Sequence, residues 1–448
     1  MEKNRIVVIG YGTAGITAAG YARRTNRAAE IHVIEARDYA IYHPCCIPDA
    51  VAGLLSWDSL VEEAPKMTRF NVHLSCKAEE VDVDNKKVKV RNLKTGESFS
   101  LDYDKLIIAT GSVPLVPRRI SGITMKGIYP VKVVEDGMKI CEAGEEGKRV
   151  VVVGAGAIGI EMAVALKLRG LDVTVVELMP QCMPGKLDPE IARLVERELK
   201  SKGIKLILGK GVEAFEGKDK VEKVIAGGEV IETDFVVLAI GVRPNVELAK
   251  QIGLELGKFG GIKVNSKMET NIPDVYAAGD CAESVNLVTG KPILAPFASV
   301  AFKHGRVAGI NAAGGETELK GVVVNWVVST EWFKFGAVGL THEMAKAEGF
   351  DPVSSVTRTC AWSCIYPNPV EVTIKLTADR ESHKLLGVQI FGYENIAYML
   401  DVFSLALYNS LRVEDLLELE TAYAPTVSTI PDALFVAIDS LARRLRIK

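Results

Sequence analysis

The sequence predicts an α/β chain in which one strand–turn–helix unit occurs twice, followed by a C-terminal α+β unit. Three observations carry that prediction. An apolar run meets a glycine-rich turn at residues 5–15, the same arrangement returns at residues 149–159, and the patterning changes after Gly314-Gly315. At 448 residues the chain is about three times a one-domain length of roughly 150, so several cores are expected.

The first unit opens with Arg5-Ile6-Val7-Val8-Ile9, a strand that stops at Gly10-Tyr11-Gly12-Thr13-Ala14-Gly15 and leads into the helical Ile16-Thr17-Ala18-Ala19. Gly10 permits the tight turn, Gly12 lets backbone approach a pyrophosphate, and Gly15 lets the helix sit close on the sheet. The unpaired N–H groups at the helix start attract the phosphates. A second strand, residues 31–34, ends in Glu35, about 20 residues past Gly15, where an acid meets a ribose hydroxyl.

The second unit repeats this. Arg149-Val150-Val151-Val152-Val153 runs into Gly154-Ala155-Gly156-Ala157-Ile158-Gly159, after which Ile158, Met162, Ala165 and Leu166 trace one helical face. The strand at residues 172–176 is closed by Glu177. Two complete Rossmann-like copies, each with its acid, imply two bound dinucleotides, and the glycines do not say which copy holds which. Glu177 is followed by Leu178 and Met179, with no adjacent Arg or Lys to meet a 2′-phosphate, so NADH should be favoured over NADPH. Apolar runs at 235–240 and 275–278 also end in Gly, Asp or Asn, where open α/β sheets bind ligands. Asp280 reads there either as a ligand contact or as a turn former.

A further boundary is expected near residue 320. Val370, Val372, Ile374 and Leu376 alternate with Glu371, Thr373 and Lys375, which predicts a strand with one buried and one wet face, returning through 377–383 into a hairpin partner at 385–391. Ile396, Leu400, Phe403 and Leu407 mark an amphipathic helix, and a second apolar helix is expected over 433–441. Strands followed by helices make an α+β unit.

Composition excludes several classes. With 54 Lys+Arg against 57 Asp+Glu the chain has no overall basic field for nucleic acid or an anionic membrane, and 48% hydrophobic with 25% charged residues is the balance of a folded protein. No stretch reaches the roughly 18 apolar residues of a membrane span, and the Gly10 turn leaves no room for a secretory leader, so a cytoplasmic protein is expected. Eight unevenly spaced cysteines do not form a disulfide framework, and zinc-type ligand spacing is absent, so no metal is expected.

Over nearly its whole length the sequence resembles the pyridine nucleotide-disulfide oxidoreductases. Leu106-Ile107-Ile108-Ala109-Thr110-Gly111-Ser112 is similar to the family's crossing from its FAD to its NAD domain, and Ala239-Ile240-Gly241-Val242-Arg243-Pro244-Asn245 to the return. Residues 270–280, ending Tyr276-Ala277-Ala278-Gly279-Asp280, resemble the second FAD motif. The resemblance implies FAD on the first unit, at Gly10, Gly12, Thr13, Ala14, Gly15, Glu35, Ala109, Thr110, Gly111, Gly279 and Asp280. It implies NADH on the second, at Gly154, Gly156, Ile158, Gly159, Glu177 and Gly241. The implied domains are residues 1–114 and 247–320 for FAD, an inserted 115–246 for NAD, and 321–448 for dimerisation.

Glu420-Thr421-Ala422-Tyr423-Ala424-Pro425 and Ile365-Tyr366-Pro367-Asn368 resemble signatures of one branch: the coenzyme A disulfide reductases, NADH oxidases and NADH-dependent persulfide reductases. In that branch the C-terminal region forms the dimer interface and completes the partner's site, which implies a homodimer or a dimer of dimers. Each tyrosine also reads as an interface or core aromatic. Tyr42-His43-Pro44-Cys45-Cys46-Ile47-Pro48 fits the branch's single cysteine at Cys45, with Pro48 three positions on; Pro44 and Cys46 depart from the residues usual beside it. Pro48 should open a helix running through Leu54, placing Cys45 at its positive end and lowering the thiol pKa. Both cysteines also read as small buried apolar residues, and a vicinal disulfide between them would be strained.

The resemblance implies that electrons from NADH pass through FAD to a mixed disulfide between Cys45 and its substrate. Tyr366 and Tyr423 would hold or protonate the leaving sulfur, and Glu161 would be the acid beside flavin and nicotinamide, or an exposed first-turn carboxylate. Arg23, Arg24, Lys66 and Cys46 are candidates to meet coenzyme A, with solvated surface charge the other reading of the three basic residues. Cys360 and Cys364, just before Tyr366, read as a relay or resolving pair for Cys45, or as buried thiols. Thr13 stands where NADH peroxidases carry a His, which disfavours peroxide reduction, and no rhodanese domain fits in the chain. Reduction of coenzyme A disulfide, coenzyme A persulfide or polysulfide is the leading reading. Oxygen reduction as an NADH oxidase, electron transfer to a small protein carrier with Cys45 only structural, and a non-catalytic NADH sensor stay open beside it.

Overall fold

Arg5–Ile9, with Val and Ile side chains covered on both faces, is the central strand of a five-stranded parallel sheet. The order is Val275–Ala277, Lys105–Ile108, Arg5–Ile9, Glu30–Ile34, Asn71–His73. Unbroken apolar runs are what parallel strands buried on both sides require. A second parallel sheet repeats the plan around Arg149–Val153, in the order Ile128–Pro130, Phe235–Leu238, Arg149–Val153, Asp172–Glu177, Lys205–Leu208. The registers correspond: Ile9 pairs with Ile34 and Ile108, Val153 with Val176 and Leu238. The computed structural model describes residues 4–62 and 70–447, and Lys66 lies outside them.

The chain leaves the first unit and returns to it beside its own exit, because Ser112–Pro114 and Val242–Pro244 run antiparallel. Val275–Ala277 then closes the edge of the first sheet, and the Ala298–Ala312 helix lies on the Thr13–Thr25 helix. A Cβ on Gly305 would stand 2.3 Å from the Ala14 carbonyl oxygen and one on Gly309 2.2 Å from that of Ala18. The two helices therefore approach this closely only because both positions lack a side chain.

The C-terminal unit is an antiparallel sheet ordered Trp326–Ser329, Lys334–Gly339, Leu385–Gly392, Glu371–Asp379, Pro352–Cys360. Helices Ala397–Tyr408 and Ala433–Leu445 share its core through Leu400, Phe403, Ile438 and Leu441. The expected hairpin is present, but its wet face is not. Thr373, Lys375 and Thr377 are as buried as the apolar residues between them. Alternation fails there because the second unit covers that face, with Asp188 and Glu190 pairing with Lys375.

Among the described residues no helix is long and apolar enough to cross a membrane. No group of three or more His, Cys, Asp or Glu among them is placed to hold a metal ion.

Candidate active site

The two glycine turns obey the same steric rule. Gly10 has φ +101° and Gly154 φ +103°, and a Cβ there would lie 2.3 Å from the Ala109 carbonyl oxygen and 2.5 Å from that of Ala239. Gly15 and Gly159 are packed on those turns, with Cβ positions 1.9 Å from the Gly10 oxygen and 2.0 Å from the Gly154 oxygen. Gly12 and Gly156 differ: each faces open space. They are the N-caps of helices Thr13–Thr25 and Ala157–Leu168, and neither helix has a side-chain cap or an acid in its first turn. Thr13 and Ala14 on one side, and Ile158 on the other, belong to these first turns. Free N–H donors at a positive helix end, beside a groove that no side chain fills, suit a pyrophosphate, so both units fit a dinucleotide.

The acids that close the second strands are tied to the turns. Glu35 accepts from the Tyr11 N–H at 2.8 Å and from the Arg37 N–H at 3.0 Å, and the Arg37 fork binds both its oxygens at 2.8 and 2.6 Å. Burial works to raise this carboxyl, but Arg37 and the two N–H donors outweigh it and hold the pKa below the ordinary value. A ribose hydroxyl at Glu35 must therefore share or displace one of these donors. Glu177 accepts from the Ala155 N–H at 2.8 Å and the Met179 N–H at 2.9 Å, which leaves each oxygen one lone pair for a ribose. Leu178 and Met179 beside it are exposed and carry no charge.

Gly279, at φ +86°, brings the second motif against the first, since a Cβ there would meet the Ala14 Cβ at 2.8 Å. Asp280 accepts from Ser112 Oγ at 2.7 Å, Ser112 accepts from Lys132 Nζ at 2.8 Å, and Lys132 lies 3.7 Å from Asp280. Thr110 Oγ1 donates to the Asn245 carbonyl at 2.7 Å, the Asn245 N–H donates to Gly111, and the Leu115 N–H donates to Gly241. These bonds fasten the two crossings together at the end of the first sheet. Sequence reasoning missed Arg37, which lies only two residues past Glu35, and Lys132, whose partners Ser112 and Asp280 lie in other segments.

Cys45 is an exposed free thiol in the short turn Pro44–Cys46, immediately before the helix Ile47–Val51. Pro48 stands in that helix's first turn as expected, but the helix ends at Val51, short of Leu54. It is too short to dominate the local field, and the expected lowering of the thiol pKa does not occur. The Cys45 pKa is raised, first by loss of water around the sulfur, then by Glu161 and Cys46, against a smaller lowering by Lys132. Cys46 is partly buried and also raised, chiefly by burial. The pocket is lined by Cys45, Pro48 and Asp49, by Glu161, Val164 and Leu168 of the Ala157–Leu168 helix, and by Ser329, Thr330 and Glu331. Glu161 is not an exposed first-turn carboxylate: burial, with a contribution from Asp49, pushes its pKa up to about 8. Asp49 is raised too, by burial and by Glu331. The site thus couples a thiol to a carboxyl that is neutral at pH 7.

Residues 4–305 match the family model described as pyridine nucleotide-disulphide oxidoreductase, and residues 325–434 match its dimerisation domain. The chain belongs to the pyridine nucleotide-disulphide oxidoreductase family. It is 39% identical over 447 residues to an NADH oxidase of Methanocaldococcus jannaschii, covering 98% of this chain and 99% of that one. It is 35% identical over 448 residues to the NAD(P)H coenzyme A polysulfide/persulfide reductase of Pyrococcus horikoshii, covering 99% of each. Among solved structures, an NAD-dependent persulfide reductase from A. fulgidus matches with a TM-score of 0.94 at 35% identity, over 98% of this chain and 83% of that one.

In this member of the pyridine nucleotide-disulphide oxidoreductases the two tyrosine segments lie together. The Ser363 N–H donates to the Pro425 carbonyl at 3.2 Å, and Tyr366 and Tyr423 are both exposed. Neither lines the Cys45 pocket of its own chain. Cys360 and Cys364 are joined to each other as a disulfide, so they are not a pair of free thiols. Arg23 donates to the Arg27 carbonyl at 2.7 Å and Arg24 lies over the Tyr21 ring, at the far end of the first helix from its glycine turn; neither lines the pocket.

Proposed function

We propose that this chain is an FAD-dependent NADH oxidoreductase that cleaves sulfur–sulfur bonds in a coenzyme A persulfide, coenzyme A disulfide or polysulfide, with Cys45 as the attacking sulfur. One observation supports this most: an exposed, unpaired thiol shares a pocket with Glu161 of the second unit and lies within electrostatic reach of Asp280 of the first. Bound on the first unit, FAD supplies two-electron transfer between NADH and sulfur. The residues proposed to hold it are the glycine turn with Thr13 and Ala14, together with Glu35, the Ala109–Gly111 crossing, Gly279 and Asp280. Gly154, Gly156, Ile158, Gly159, Glu177 and Gly241 are proposed to hold NADH, with Glu177 orienting a ribose and offering nothing to a 2′-phosphate.

Cys45, once deprotonated, attacks one sulfur of the substrate and expels the other as thiolate or hydrosulfide, leaving a mixed disulfide on the enzyme. Lys132 stabilises the anion at Cys45, and Glu161 holds a proton in the same pocket for the departing sulfur. Tyr366 and Tyr423, exposed and carried on segments that the Ser363–Pro425 backbone bond joins, are assigned to the partner's site in a homodimer, or in a dimer of dimers, of a cytosolic protein. Coenzyme A as the sulfur carrier, met by Arg23, Arg24, Lys66 or Cys46, rests on the name of the Pyrococcus relative.

Anaerobic reduction with NADH followed by coenzyme A disulfide, coenzyme A persulfide or polysulfide tests the reading. Rapid reoxidation by a sulfur acceptor in the wild type, absent in Cys45→Ser, is expected. Equal reoxidation of both by a small carrier protein would refute the role of Cys45. The Methanocaldococcus relative supports oxygen as a second acceptor, and saturation at low oxygen that outpaces every sulfur compound would make it the first.

A further inference from the structure

Lys375 is 3% exposed although alternation along the Glu371–Asp379 strand assigns it to solvent. Its ammonium lies 2.9 Å from Asp188 Oδ2 and 2.8 Å from Glu190 Oε2. Asp188, 2% exposed, is held by three further hydrogen bonds to two residues. Its Oδ2 accepts from Gln389 Nε2 at 2.7 Å and from the His342 N–H at 3.0 Å, and its own N–H donates to Gln389 Oε1 at 2.7 Å. Burying a charge costs several kcal/mol unless it is paired and hydrogen-bonded. Here the pairing spans two folding units and converges on one carboxylate.

Asp188 ends a segment that begins at Glu177 and folds back over the second glycine turn. Both backbone polar groups of Ala155, at the centre of Gly154-Ala155-Gly156, are engaged from that segment. The Ala155 N–H donates to Glu177 Oε2 at 2.8 Å, and its carbonyl accepts from the Met183 N–H at 2.9 Å. Met183 is buried and has φ +50°, a left-handed conformation that a side chain disfavours by about 1–2 kcal/mol, so its neighbours impose it. The Lys186 and Leu187 N–H groups in turn donate to the Met183 carbonyl at 3.0 and 3.1 Å. A continuous path of bonded groups runs from Lys375 through Asp188 and Met183 to Ala155.

We propose that Lys375 and Gln389 are positioning residues for nucleotide binding at the second unit: the C-terminal sheet clamps Asp188, and residues 178–188 carry that restraint to the turn at Ala155. The clamp leaves less of the turn to be ordered when the nucleotide arrives. The proposal rests on reading the second unit as the NADH site.

The test uses the FAD-loaded protein with Lys375→Met and, as the milder change, Gln389→Leu. NAD+ affinity is measured by fluorescence titration, alongside FAD content and amide hydrogen exchange. Each variant should weaken NAD+ binding by about tenfold, the size of one lost charge-assisted or buried hydrogen bond. Exchange at the Met183 and Ala155 amides should accelerate, while the Tyr11 amide of the first turn and the FAD content stay as in the wild type. Unchanged NAD+ affinity in Gln389→Leu with faster exchange at Asp188 would overturn the proposal, leaving the cluster a domain staple. FAD lost in step with NAD+ would overturn it too. A wild type that binds no NAD+ would instead refute the assignment of NADH to the second unit, whereas wild-type binding that both variants retain refutes only the clamp.

Discussion

Cys45 and Glu161 line one pocket, the first a free thiol and the second a carboxyl whose pKa burial pushes up to about 8. Below that value Glu161 is neutral and carries a proton for a departing sulfur. Above it the carboxylate adds a negative charge that opposes ionisation of Cys45. As pH rises through about 8, sulfur turnover should therefore fall short of the rise that ionisation of Cys45 alone would give. Glu161→Gln should remove that shortfall and lower the rate about a hundredfold, the usual contribution of a positioned proton donor. Wild-type and Glu161→Gln profiles that run parallel from pH 6 to 9 would contradict the role.

The same carboxyl sets a stability window. Its folded value of about 8 lies above the ordinary value of 4.5, so between the two the folded protein binds the extra proton. The favourable contribution is complete below 4.5 and is lost as pH climbs to about 8, at about 1.4 kcal/mol per unit. Glu161→Gln should raise the melting temperature at pH 8.5 more than at pH 5, and an equal effect at both would show that Glu161 ionises normally.

Glu177 keeps a lone pair free on each oxygen and has Leu178 and Met179 exposed beside it. A 2′-phosphate placed there meets the like charge of Glu177, with two apolar residues next to it in sequence. Glu177→Ala combined with Leu178→Arg should raise kcat/KM for NADPH and lower it for NADH, each by at least about tenfold, because one charge-assisted bond is gained and one lost. Comparison of kcat/KM for the two nucleotides checks this, and an unaltered ratio would place the discriminating group elsewhere.

Gly15 presses the first helix on its turn, with a Cβ position 1.9 Å from the Gly10 oxygen. Gly15→Val must move backbone against backbone, so the purified protein should be largely free of FAD while NAD+ binding at the second unit survives. Full flavin content in that variant would mean that the turn can yield.

Such steric demands are local, which is why both nucleotide units could be read from the sequence: a turn that tolerates no Cβ at Gly10 or Gly154 shows in the residues themselves. The C-terminal hairpin was legible for the same reason, through its period. Where the covering group comes from far along the chain, the pattern misleads. Lys375 looks solvent-facing because nothing near it in sequence announces Asp188. The pKa of Cys45 likewise depends on groups remote in sequence. A helix end lowers a thiol pKa only where the helix is long, and Ile47–Val51 is brief; burial, followed by the Glu161 carboxyl on Ala157–Leu168, raises the thiol instead. The network of Ser112, Asp280 and Lys132 joins three distant segments, and although the first two lie in recognisable motifs, nothing near Lys132 announces that it belongs with them.

Cys360 and Cys364 are disulfide-bonded, whereas Cys45, Cys46, Cys76, Cys141, Cys182 and Cys281 are free. Thiol titration of the unfolded protein should thus count six groups before reduction and eight after. A count of eight without reductant would remove the bond. The bridge ties the end of the Pro352–Cys360 strand to the loop bearing Tyr366, and Ser363 within that loop holds the Tyr423 segment through Pro425. Closing so short a loop is worth about 2 kcal/mol by chain entropy. Cys364→Ser should accordingly lower the melting temperature by only a few degrees, with FAD and NAD+ binding intact, because both nucleotide units lie outside the loop. If the tyrosines serve the partner's Cys45, the same variant should slow sulfur turnover several-fold at unchanged NADH affinity. Wild-type turnover in Cys364→Ser would show that the tyrosines need no such fastening.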